Sequence, residues 1–167
     1  MIAPWIQVDL SVLDRNVRAM RQALGPRTSL VMVVKANAYG HGLTPVARQA
    51  ARSGARWFAV AYVREALQVR AVCEDAEIVI LGAVMPDDVP TLLEHRLLPV
   101  IVDEEQGRAV ARAARARGAV LRAHLKLDTG MGRFGVPWED GIAVYERLAR
   151  EAGLDLSGLC THFASVE

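Results

Sequence analysis

The chain has 167 residues, 52% of them hydrophobic and 23% charged, with 20 basic side chains against 19 acidic ones for a formal charge of +1. That balance excludes a disordered chain and leaves no global field to draw it to nucleic acid or an anionic membrane. No apolar run approaches the ~18 residues that span a bilayer, and MIAPWIQVDLSVLDRN lacks the basic segment and apolar core of a signal peptide.

From the N-terminus, WIQVDL (5–10) reads as extended. Ser11-Val12-Leu13-Asp14 then has the spacing of a capping box, and LDRNVRAMRQAL carries helical periodicity up to Gly25-Pro26. SLVMVV (29–34) is apolar and β-branched throughout, the pattern of a strand buried on both faces. TPVARQAARSG (44–54) predicts a helix, WFAVAYV (57–63) a strand and REALQVRAVC a helix. EIVILGA (77–83) predicts a strand, DDVPTLLEHRL a short helix and LPVIVD (98–103) a strand. EEQGRAVARAARARG predicts a helix and AVLRAHLKLD (119–128) a strand. The loop TGMGRFGV leads into the helix WEDGIAVYERLAREAG and the strand LDLSGLCTHF (154–163).

Six strands with five intervening helices imply an α/β fold of parallel strands joined by right-handed crossovers. A doubly wound sheet and an eight-stranded barrel both satisfy that pattern. A (β/α)8 barrel of TIM type typically needs ~250 residues, so about six βα units make an incomplete one. The sequence stops at ASVE directly after a strand, where no covering helix follows. The two cysteines, Cys73 and Cys160, have no CxxC spacing. They read as small buried hydrophobes, which argues against a disulfide scaffold or a zinc site and fits a reducing, cytoplasmic setting.

In either architecture, reactive groups gather at the carboxyl ends of parallel strands. Lys35 closes the apolar run LVMVV and opens KANAYGHG. A lysine there either reaches water or stays in a dry site, where burial lowers its proton affinity and makes the amine a nucleophile and base. Asn37, Tyr39 and His41, interleaved with Gly40 and Gly42, predict a short polar loop. The Tyr39 hydroxyl either faces water or donates to a phosphate. In HLKLDTGMGRFG, Asp128-Thr129-Gly130 is a turn signal, and Gly132 and Gly135 bracket Arg133. Strand alternation puts Lys126 and Asp128 on one face. Arg133 is either a solvated loop side chain or a donor to an anionic oxygen. His162 ends the last strand, as a structural imidazole or as a flat partner for a planar ring. His95 and His124 read as structural, and Arg108, Arg112 and Arg115 as a solvated helix face.

These residues carry a family resemblance. VVKANAYGHG resembles the pyridoxal-phosphate attachment motif of alanine racemases, LKLDTGMGRFGV a second signature of that family, and THFA (161–164) a third, all in the family's order. WIQVDLSVLDRNV resembles the family's usual start. The resemblance implies that Lys35 carries pyridoxal 5'-phosphate and serves as one of two catalytic bases, and that Tyr39 holds the cofactor phosphate. It implies that Arg133 contacts the cofactor's phenolic oxygen and takes part in substrate binding, and that His162 packs on the pyridine ring. Lys126 matches a position that is carbamylated in some members, where a carbamate would pair with Arg133.

The implied activity is interconversion of L- and D-alanine, supplying D-alanine for peptidoglycan, in a cytoplasmic homodimer acting on a small amino acid. Family members also carry further barrel strands and a β-rich C-terminal domain that provides the second base. Residues 1–167 are therefore expected to be the N-terminal portion of such a protein and inactive by themselves. Two alternatives are a racemase of another amino acid such as serine, and a non-catalytic pyridoxal-phosphate carrier of cofactor homeostasis on the same type of barrel.

Overall fold

Parallel strands connected by helices form the framework in a computed structural model that describes residues 5–165. Residues 5–9 pair with no strand. Helix α1 (Leu10–Leu24) starts two residues earlier than the capping-box reading placed it, its cap at Asp9 rather than Ser11. The Asp9 carboxylate accepts the Ser11 and Val12 N–H groups at 2.8 and 3.3 Å. The Ser11 hydroxyl above all, and then those backbone bonds, hold the Asp9 carboxyl below its ordinary range. Asp14, the supposed partner in the box, instead pairs with Arg18 and accepts the Ser53 hydroxyl at 2.6 Å.

The chain divides into two compact units. The first runs to Val60 and resumes over Arg64–Ile78. In it, β1 (Val31–Val33) runs parallel to β2 (Trp57–Val60), with Met32 opposite Phe58. A short coil, α2 (Lys35–Tyr39), and helix α3 (Leu43–Arg52) connect them, and α4 (Val63–Arg70) follows β2. Helix α3 turns Leu43, Val46, Ala47 and Ala50 inward, the 3-4 spacing of an amphipathic helix, against a core that includes Val17 and Phe58. The expectation that 29–34 is buried on both faces fails here. Val31 and Val33 are 39% and 40% exposed, because the described residues cover only one face of β1.

Strand β3 (Glu77–Ile80) lies across the boundary between the units. The second unit comprises Ala61–Val63 and the chain from Val79 onward. It contains a 3-10 turn at Pro86–Asp88, α5 (Val89–Glu94), β4 (Leu97–Ile101), α6 (Glu104–Arg115), β5 (Leu121–Asp128), β6 (Val136–Pro137), α7 (Gly141–Leu148) and β7 (Leu154–Cys160). β5 is parallel to β4 and to β7, with Val100 opposite His124 and Lys126 opposite Cys160.

Every residue of β4 is buried, as expected of a strand with both faces packed. β5 alternates, with Leu121, Ala123 and Leu125 in the core. Lys126 and Asp128 fall on the other set of positions, as the alternation predicted. On the outside, Arg147 of α7 grips Glu104 of α6 with two bonds of 2.9 and 2.8 Å, and Arg108 adds a third at 2.7 Å. The cap of α6 is Asp103, which accepts the Gln106 N–H at 2.7 Å.

Candidate active site

Lys35 leaves β1 at its carboxyl end. Val34 is fully buried and continues the ladder, donating its N–H to the Ala59 carbonyl at 2.9 Å, and Lys35 itself is half-buried. The segment that follows, read from the sequence as a short polar loop, is a coiled turn. Ala36, Asn37 and Ala38 have φ/ψ of 51/50°, 56/43° and 53/48°, and Tyr39 has φ 54°. This is one turn of left-handed coil built entirely from non-glycine residues. Such a conformation costs roughly 1–2 kcal/mol per residue, so it persists only where its surroundings hold it.

Those supports are visible. The Ala36 N–H donates to Glu65 Oε1 at 2.7 Å, and the Ala38 N–H to the Val34 carbonyl at 2.9 Å. The Asn37 carbonyl accepts N–H bonds from Gly40 and Gly42 at 3.1 and 2.9 Å. Asn37 also caps α3, its Oδ1 accepting the Leu43 N–H at 2.8 Å. Gly40 and Gly42, at φ 87° and 89°, carry the chain out of the coil. His41 Nδ1 sits 2.8 Å from the Ala38 carbonyl. A carbonyl only accepts, so Nδ1 carries the proton. Tyr39 projects from the end of the coil, 60% exposed.

The second unit brings the other two motifs together at the carboxyl ends of β5 and β7. The Asp128 carboxylate accepts the N–H groups of Gly132 and Gly130 at 3.0 Å each, folding the loop over itself. Those backbone bonds, Gly132 first, hold its carboxyl below the ordinary carboxylate range, and nearby Lys126 contributes in the same direction. The loop then doubles back. Gly135 has φ +124°, and a Cβ there would lie 2.8 Å from the Asp128 nitrogen and 2.9 Å from the Leu127 carbonyl carbon. That close approach lets β6 pair with the end of β5, Leu127 opposite Val136. β6 lies at the end of what the sequence presents as a loop, just before the expected helix. It pins both feet of the loop, and Arg133 is left exposed between them.

Thr161 joins β7 to this loop. Its hydroxyl donates to the Leu127 carbonyl at 3.0 Å and lies 2.7 Å from the Thr129 hydroxyl. His162 follows at once and is exposed. Cys160, opposite Lys126, is half-buried rather than fully buried like Cys73. Burial pushes its thiol up, and Lys126 opposes that only in part.

Lys35 and Tyr39 thus belong to the first unit, and Lys126, Arg133 and His162 to the second. Reading the sequence for chemistry missed Glu65, Asn37 as a cap, and Thr161. Glu65 had a usable signal: it stands with Ala66 and Val69 on the inward face of α4, an unexpected place for a carboxylate.

Residues 8–167 match the family model described as alanine racemase, N-terminal domain. The chain belongs to the alanine racemase family. Alanine racemases of Desulforamulus reducens and Symbiobacterium thermophilum are 37% and 39% identical over 164 residues, 98% of this chain. The chain spans 44% and 43% of their respective lengths. Among solved structures, alanine racemase from Bacillus anthracis with bound L-Ala-P superposes with a TM-score of 0.86 at 30% identity, covering 99% of this chain and 45% of that one. The enzyme from Streptomyces coelicolor gives 0.83 at 38% identity, with 94% and 43% covered.

The fold class expected from the alternating elements holds: α/β, with βα units of the TIM-barrel type and the eightfold set incomplete. Among the described residues no helix is long and apolar enough to cross a membrane.

Proposed function

We propose that the whole protein is a pyridoxal-phosphate-dependent racemase that interconverts L- and D-alanine. The observation that carries this reading is Lys35: a primary amine at the end of a parallel strand, held half-buried at the root of a braced left-handed coil. A chain maintains so many disfavoured backbone angles where a side chain must be aimed.

The donor set fits the cofactor. The first unit offers an amine for an aldehyde at Lys35 and an exposed phenol for a phosphate at Tyr39, and the second offers an exposed guanidinium at Arg133 and an exposed imidazole at His162. When bound, the pyridoxal ring supplies an electron sink for the charge left by removing a Cα proton. The chain's own residues do the rest. Lys35 Nζ takes a proton from Cα on one face or returns it there. Tyr39 anchors the phosphate through its hydroxyl. Arg133 would orient an anionic oxygen, and the flat face of His162 would pack against the ring. Lys126, as a carbamate, would serve as the anionic partner of Arg133. Racemisation also needs a base on the opposite face, and no tyrosine of this chain is assigned that role. A soluble homodimer that makes D-alanine for the cell wall completes the reading.

The test is chemical. Full-length protein is incubated with pyridoxal phosphate, reduced with borohydride and mapped by peptide mass. The stable adduct is expected on Lys35 and is lost in Lys35→Ala along with racemisation. An adduct on another lysine, or none, overturns the assignment. Labelled Lys35 without turnover on alanine or serine favours the carrier reading instead.

A further inference from the structure

Glu65 is a carboxylate that is 8% exposed, in the first turn of α4 and on the face shared by Ala66 and Val69. Burying a carboxylate is unfavourable unless strong hydrogen bonds replace its water. One of those bonds is the 2.7 Å contact from the Ala36 N–H, short enough to be a charge-assisted bond. Ala36 is the first left-handed residue after the strand and the immediate neighbour of Lys35. The β1–β2 ladder has already ended with the Val34 N–H on the Ala59 carbonyl. At this position the strand partner no longer supplies an acceptor, and an acceptor from α4 takes over.

We propose that Glu65 is the positioning residue for Lys35: by holding the Ala36 N–H it fixes the handedness of the coil and hence the direction in which the lysine amine leaves β1. The link to catalysis rests on the cofactor reading given above, whereas the link to coil geometry does not. Two properties of the side chain matter separately, its length and its acceptor oxygen. Gln keeps both, Asp shortens the reach by one methylene, and Leu keeps the bulk while removing the acceptor.

The experiment therefore compares Glu65→Gln, Glu65→Asp and Glu65→Leu in the full-length protein. Hydrogen–deuterium exchange is first read without cofactor, at the peptide covering 33–42. Glu65→Leu and Glu65→Asp are expected to raise exchange there by roughly tenfold, a local loss of protection that leaves β2 and α3 unchanged, while Glu65→Gln matches the wild type. Borohydride labelling of Lys35 with added pyridoxal phosphate is then expected to slow by roughly 10- to 100-fold in the two loosened variants and to be retained in Glu65→Gln.

Unchanged exchange at 33–42 in Glu65→Leu overturns the proposal. So does loosening spread evenly over the whole protein, which would mark a general structural role. Loosened exchange with an undiminished labelling rate also overturns it, since the coil would then not aim the amine. If Glu65→Leu does not fold, Glu65→Asp decides by the same criteria. If pyridoxal phosphate labels Lys35 in no version of the protein, the cofactor reading fails, and the exchange result still judges the coil.

Discussion

Asp128 shows how one side chain can organise a loop. Its carboxylate collects the Gly130 and Gly132 N–H groups, so the ionised form is favoured in the folded chain and its pKa falls below the ordinary value of 3.8. The sign follows directly. A carboxyl whose folded pKa is depressed contributes order fully above about 3.8 and loses it as pH falls through the lower folded value. The Gly130 and Gly132 amide signals are therefore expected to titrate together, with an apparent midpoint below 3.8, when followed by NMR in acid. In Asp128→Asn that titration disappears. A midpoint at or above the ordinary carboxylate value would contradict the account. The residue type and the glycines were legible in DTGMGRFG. The two hydrogen bonds were not, because a turn signal does not say which donors a side chain will meet.

At the scale of elements, α3 begins where the left-handed coil ends, and Asn37 serves both. Its side chain caps Leu43, and it tolerates a φ of 56° better than most residues. Asn37→Ala should cost about 1 kcal/mol of stability through the lost cap, with a further loss from left-handed strain. Urea unfolding of the full-length protein measures the sum, and exchange at 43–46 reports the frayed end of α3. An unchanged unfolding midpoint would show that the cap contributes nothing.

Most elements were readable from their periods. α3 was expected over 44–54 and spans Leu43–Arg52, and β4 was expected over 98–103 and spans Leu97–Ile101. The start of α1 was misread because Ser11 and Asp14 match a capping pattern, whereas Asp9 reaches the free N–H groups first. β6 was invisible, since two residues carry no period, and only the Gly135 backbone lets them reach β5.

For the whole molecule, two cores are built on parallel strands, one around Phe58, Leu43 and Val46, the other around Leu98, Leu121 and Leu125. The chain spans 44% of the length of its Desulforamulus reducens relative, and under the proposed mechanism it supplies one catalytic base. Purified residues 1–167 with added pyridoxal phosphate are therefore expected to leave the optical rotation of L-alanine unchanged, under conditions in which the full-length protein abolishes it. Racemisation by the short chain at a comparable rate would show that Lys35 needs no opposite base.

The alternation of apolar strands with amphipathic helices is local, because each segment's period reflects which of its own faces must leave water. That much, the order of the three motifs and the place of Lys35 at the end of an apolar strand were set by the sequence alone. Handedness after Lys35, the partner of the Ala36 N–H and the pairing of β6 with β5 depend on groups brought from 29 residues away in the case of Glu65. Apart from its asparagine, a left-handed coil of alanine and tyrosine has no propensity in its favour. Only the packed structure, by placing a buried carboxylate where the strand ladder stops, makes it the stable choice.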